Sequence, residues 1–156
     1  MIQRIQTFYM LVIVVLSTIT LFSNLGGLQN QDSGELYTLS YRGLFERDAT
    51  NDLIFSSSVW LLTAQMVIIP IISLIAVFLF KRRILQIRLL IFNLVLMAGF
   101  YGLLFIYLWQ FGKSTDTKLY LEMVAAFPLV NIILSVLAIR AIGKDEALIK
   151  SLNRIR

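Results

Sequence analysis

Four long apolar stretches, at residues 8–25, 53–80, 89–111 and 119–139, constrain this chain more than any other feature. Each reaches the roughly 18 residues a helix needs to cross the hydrocarbon core of a bilayer. Inside lipid every backbone N–H and C=O must pair within its own helix or around a closed barrel. The stretches lack the polar–apolar alternation of barrel strands. The sequence therefore predicts an all-α membrane protein with four transmembrane helices and one integral domain over residues 1–156. Short links after the second and third spans favour an up-down antiparallel bundle.

Composition agrees. The 156 residues are 58% hydrophobic and 15% charged, where soluble domains run at about 45–50% and about 25%. The chain contains no cysteine and no histidine, which excludes thiol nucleophiles, disulfides, Cys/His zinc sites, haem–His ligation and a Ser-His-Asp triad. Gly-rich phosphate loops and carboxylate pairs are also missing. Ser56, Ser57 and Ser58 have no neighbouring base in the sequence. The expectation is a non-enzyme without a cofactor. A cleaved leader is the competing account of residues 8–25, but Ser23-Asn24-Leu25-Gly26 makes a poor cleavage site and three further spans follow.

Charge sets the expected orientation. Arg4, the link after the second span and the C-terminal tail together hold ten basic residues, against four on the loops of the other side. Acids distribute oppositely, two against seven. The positive-inside rule then places both termini in the cytoplasm of a bacterial inner membrane. The net charge of +5 follows from topology and leaflet contact and implies no nucleic acid. Tyr107, Trp109 and Tyr120 at the outer ends of the third and fourth spans, with Trp60 on the second, fit an interfacial belt.

The edges of the spans carry a resemblance. Met1-Ile2-Gln3-Arg4-Ile5-Gln6-Thr7 leads into the first, Leu85-Gln86-Ile87-Arg88 opens the third, and Ala138-Ile139-Arg140-Ala141-Ile142 with Lys144-Asp145-Glu146-Ala147-Leu148 follows the fourth. Together these resemble an uncharacterised family of small four-helix inner-membrane proteins of Gram-negative bacteria, catalogued as a domain of unknown function. The resemblance covers essentially the whole chain. It implies an integral inner-membrane protein and brings no activity, ligand or catalytic residue.

Polar groups within the spans are the remaining functional pointers, because lipid makes them costly. Gln65, Asn93 and Asn131 are read as interhelical hydrogen-bond formers, with a substrate site as the alternative. Glu122 is read as an interfacial acid within i,i+4 reach of Lys118; the sharper alternative is a proton or cation ligand. Pro70 and Pro128 precede Lys81 and Arg140 by similar intervals, so the sequence predicts two bends at one depth, forming either a polar pocket or simply a bent bundle. The similar surroundings of the two prolines also raise a parallel repeat of helix pairs. Ala98-x-x-x-Gly102 permits close helix approach. The outer loop, residues 26–52, holds the makings of a two-stranded ribbon, Leu36–Tyr41 turned by Gly43 onto Leu44–Arg47.

In the tail, residues 143–156, Gly143 is expected to break from the fourth span. A short amphipathic cytoplasmic helix follows, with Leu148, Ile149, Leu152 and Ile155 on one face and Lys150 and Arg154 on the other. That face suits the inner leaflet or a partner groove. The function expected is an accessory, assembly or scaffolding subunit of a membrane complex, partnered by the bilayer and by another membrane protein or a second copy. The alternative is a small transporter or channel built on the proline level.

Overall fold

The computed structural model describes residues 3–30, 36–47, 53–80, 82–115 and 117–153. Four helices carry the fold: α1 (Gln3–Phe22), α2 (Trp60–Phe78), α3 (Arg83–Thr115) and α4 (Phe127–Asn153). All four are long and apolar enough to cross a membrane. They pack in chain order, α1 on α2, α2 on α3, α3 on α4, and α4 closes the ring against α1.

At one end lies a five-stranded antiparallel sheet in the order β4-β3-β2-β1-β5. Its strands are β1 (Gly26–Asn30), β2 (Leu36–Ser40), β3 (Gly43–Arg47), β4 (Leu53–Ser57) and β5 (Thr117–Leu121). The first four connect α1 to α2, and β5 connects α3 to a 3-10 turn, Met123–Ala126, that runs into α4. Since β5 pairs with β1, both connections meet at the same end, and consecutive helices run in opposite directions.

Each helix buries one seam. The buried positions are 6, 10, 13, 17 and 20 on α1, 62, 66, 69, 73 and 76 on α2, and 128, 131, 135, 138, 142 and 145 on α4. On α3 they are 86, 90, 93, 97, 100, 104 and 108. Steps of three and four alternate except for two successive fours at the end of the α3 set, the spacing by which a/d side chains interlock between neighbouring helices. The outward positions are apolar as well: Phe8, Phe22, Trp60, Phe78, Val95 and Phe105 are each more than half exposed. The seams are mixed: buried apolar side chains predominate, and Gln6, Ser17, Thr20, Ser73, Gln86, Asn93, Asn131, Ser135 and Asp145 lie among them.

Some of the sheet's leucines are turned inward, while Leu119 and Leu121 on β5 are exposed. Leu28, Leu39 and Leu44 are buried, and the last two join the cluster of Ile13, Leu62, Met97 and Phe100. Thr63 on α2 donates to the Tyr41 carbonyl at 2.6 Å, fastening the β2–β3 turn to the helices. Gly27 is required where β1 approaches β2, since a Cβ there would stand 1.7 Å from the Tyr37 carbonyl oxygen.

Several expectations change. The chain is mostly helical rather than all-α. The β2–β3 hairpin matches the anticipated ribbon, but three further strands accompany it. Residues 53–57 of the expected second span and 119–121 of the expected fourth belong to β4 and β5; they are strands because pairing with β3 and β1 satisfies their backbones. The first helix begins earlier than residue 8, at Gln3, and ends at Phe22. Gly143 does not end a helix: α4 continues through it to Asn153. One interior glycine costs only about 1 kcal/mol against alanine, while buried Ile142 and Asp145 carry the seam past it. The tail is therefore no separate amphipathic helix over its described length.

Candidate functional site

The polar groups of the seams form a column through the helical layer, beginning at the end opposite the sheet. Gln6 Nε2 on α1 donates to Asp145 Oδ2 on α4 at 2.6 Å. One level in, Gln86 Nε2 donates to the Ala76 carbonyl at 3.0 Å and lies 3.2 Å from Met10 Sδ, joining α3 to α2 and α1. Next, Asn93 Nδ2 donates to Ser73 Oγ at 2.7 Å, and Ser73 donates to the Ile69 carbonyl at 2.9 Å. Gln65 Nε2 then donates to the Leu96 carbonyl at 2.9 Å. It lies over Gly99, where a Cβ would stand 3.1 Å from Nε2.

Nearest the sheet, Tyr101 ties the start of α4. Its hydroxyl donates to the Ala125 carbonyl at 2.8 Å and accepts from Leu129 N–H at 2.9 Å. Leu129 is in the first turn of α4, whose N–H groups have no partner within the helix. From Gln86 to Tyr101 the column follows about 22 Å of α3 at about 1.5 Å per residue.

At the level of Gln65, the four helices border a small pocket of about 10 Å³, lined by Ser17, Thr20, Met66, Ile69, Phe100, Pro128 and Asn131. Such a volume accommodates about one water molecule. The Ser17 and Thr20 hydroxyls donate back along α1 to Ile13 and Leu16 carbonyls at 2.7 and 2.8 Å. Asn131 Oδ1 and, farther along α4, Ser135 Oγ are buried without a hydrogen-bond partner in the protein, as are Gln65 Oε1 and Asn93 Oδ1.

The sequence-derived residues separate into groups. Gln65, Asn93 and Asn131 all reach the helix interfaces, and Asn93 meets Ser73. Pro128 and Ile69, the neighbour of Pro70, border one cavity. Their helical settings differ: Pro70 lies within α2, whereas Pro128 is the second residue of α4. A missing N–H is harmless in a first helical turn, so no kink follows from Pro128. Glu122 precedes the 3-10 turn and lies outside α4, its backbone N–H donating to the Leu25 carbonyl at 3.1 Å. Lys118 is on β5, so the helical i,i+4 relation between them does not exist. Leu148 and Ile149 are exposed on α4. The Lys150 and Leu152 side chains, and all of Arg154 and Ile155, lie outside the described residues.

Gln6, Gln86, Asp145 and Tyr101 were not anticipated as interior residues. The available signal was spacing: Gln6, Ser17 and Thr20 fall on one three-four seam, as do Gln86 and Asn93, and Asn131, Ser135 and Asp145. No curated protein matches this chain at a meaningful level. The family described as "Domain of unknown function (DUF4293)" matches residues 2–155, nearly the entire sequence, and the chain belongs to that family.

Proposed function

We propose that this is a multi-pass protein of the bacterial inner membrane, both termini cytoplasmic, acting as a non-enzymatic accessory, assembly or scaffolding subunit of a membrane complex. The observation carrying this reading is an apolar helical exterior combined with polar side chains turned into the seams. The outward faces of all four helices are apolar, as lipid requires. The interior polar groups hold helices to one another through Gln6–Asp145, Gln86–Ala76, Ser73–Asn93 and Gln65–Leu96. Interhelical bonds of this kind contribute about 0.6–2 kcal/mol each. The cavity among them, at about 10 Å³, is far below the 300–1,000 Å³ typical of small-molecule sites. A rigid, internally bonded helical layer capped by a sheet is suited to presenting surfaces.

Extraction of the tagged full chain in mild detergent tests the assignment. The expected result is co-purification of a membrane protein in fixed stoichiometry, preserved on size-exclusion chromatography. The transport reading draws on the unpartnered Asn131 Oδ1 and Ser135 Oγ. A homo-oligomer carrying a bound small molecule, with solute or ion flux in reconstituted vesicles lost in Asn131→Leu, would establish that reading instead.

A further inference from the structure

A second polar feature lies outside the column, at the end of the helical layer away from the sheet. There the start of α3 and the last turns of α4 form a groove of about 560 Å³, lined by Arg82, Arg83, Arg88, Glu146 and the apolar Ile84, Leu85 and Ile149. Three guanidinium groups against one carboxylate leave the groove strongly positive. Arg83 Nη1 is buried and has no hydrogen-bond partner in the protein. A buried, unpaired guanidinium nitrogen is costly, and an anionic oxygen is its natural complement. The first-turn N–H groups of α3 and the positive end of its dipole add to the field at the same place.

The groove is not purely polar. Ile84, Leu85 and Ile149 are each at least 40% exposed. Seven residues beyond Ile84 and Leu85, and so on the same side of the helix, are Ile91 and Phe92, also exposed. A phosphate held by the arginines would therefore sit above a continuous apolar track down α3. That pairing of chemistries belongs to a phospholipid and not to a free anion. We propose that this groove binds the headgroup phosphate of an anionic phospholipid, gripped by Arg83 and Arg88 with Arg82 at the rim, its acyl chain lying along Ile84, Ile91 and Phe92. Arg88, one turn deeper than Ile84, reaches the phosphate by extending its apolar stem along the helix. The site rests on the membrane reading above and gives it one specific lipid contact.

The test uses the purified full chain in nanodiscs of dioleoylphosphatidylcholine, titrated with dioleoylphosphatidylglycerol and read by native mass spectrometry and thermal shift. The expected result is retained anionic lipid and a thermal shift that phosphatidylcholine alone does not give. Affinity should fall about fivefold for each arginine removed in Arg83→Gln and in Arg88→Gln. Arg140→Gln, which borders a different groove on α4, should behave as the parent chain. Because Arg88 is exposed, its variant keeps the test valid even if Arg83→Gln folds poorly. Equal lipid retention in both variants and the parent overturns the site. An equal thermal shift from inorganic phosphate alone overturns the lipid assignment in favour of a soluble anion. Flotation with phosphatidylcholine vesicles separates the two levels of the argument. A chain that floats but shows no lipid preference refutes this groove alone, whereas a chain that fails to float refutes the membrane reading with it.

Discussion

Asn93 shows what a single polar side chain does in a mostly apolar helical interior. It is fully buried, its Nδ2 bonded to Ser73 and its Oδ1 unpaired. Replacing it with leucine removes one interhelical bond and one unsatisfied acceptor together, while Ser73 keeps its bond to Ile69. Asn93→Leu should therefore lower stability in detergent by no more than about 1 kcal/mol, a few degrees in Tm. Asn93→Asp buries a charge and should cost about 2.5–3.5 kcal/mol. Thermal melting of the two variants checks the order; equal losses would mean that the amide does more than join α2 to α3. Glycines make a second contrast. A Cβ at Gly143 meets nothing within 4 Å, so Gly143→Ala should stabilise α4 by about 0.5–1 kcal/mol. Gly27→Ala drives its Cβ into the Tyr37 carbonyl and should unpair β1 from β2, seen as rapid proteolysis within residues 26–47.

At the scale of elements, the joint between β5 and α4 depends on a residue contributed by another helix. The Tyr101 hydroxyl satisfies one donor and one acceptor across the passage from 3-10 turn to α-helix. Tyr101→Phe leaves Leu129 N–H and the Ala125 carbonyl without that partner, at a cost of about 1–3 kcal/mol. Hydrogen exchange at the Leu129 amide should rise in the variant while exchange in α2 stays unchanged; unaltered exchange would show that the hydroxyl is dispensable. The same joint explains the limits of legibility. Hydropathy located four helices because length and apolar content decide that question by themselves. It failed at residues 53–57 and 119–121, since a strand and a helix end of the same composition differ only by a distant partner. It failed at Gly143 because tertiary burial of Ile142 and Asp145 outweighs one residue's propensity. Gln65, Asn93 and Asn131 were legible as interior amides, since a polar group in an apolar run marks the side turned from lipid. Gln6, Gln86 and Asp145 were not, because near the ends of a span a polar side chain reads equally well as solvated.

For the whole molecule, the distribution of charge makes orientation measurable. Arg82, Arg83, Arg88, Arg140 and Lys144 gather at the end where α2 turns into α3, while Arg42 and Lys118 lie with the sheet at the other. If the chain spans the bilayer, this asymmetry should hold the first end in the cytoplasm and place the sheet outside. The sequence has no cysteine, so a single introduced thiol reports its own side without background. Gln29 and Lys118 are exposed on β1 and β5, and Lys144 is exposed near the far end of α4. None of these positions is buried, so substitution should leave the fold intact. Intact spheroplasts treated with a membrane-impermeant maleimide should label Gln29→Cys and Lys118→Cys, while Lys144→Cys should react only after lysis. Labelling of Lys144→Cys alone would invert the orientation and set the arginine groove on the outer leaflet. Equal labelling of all three before lysis would mean that no bilayer separates the two ends, and the apolar exterior would then have to be covered by protein.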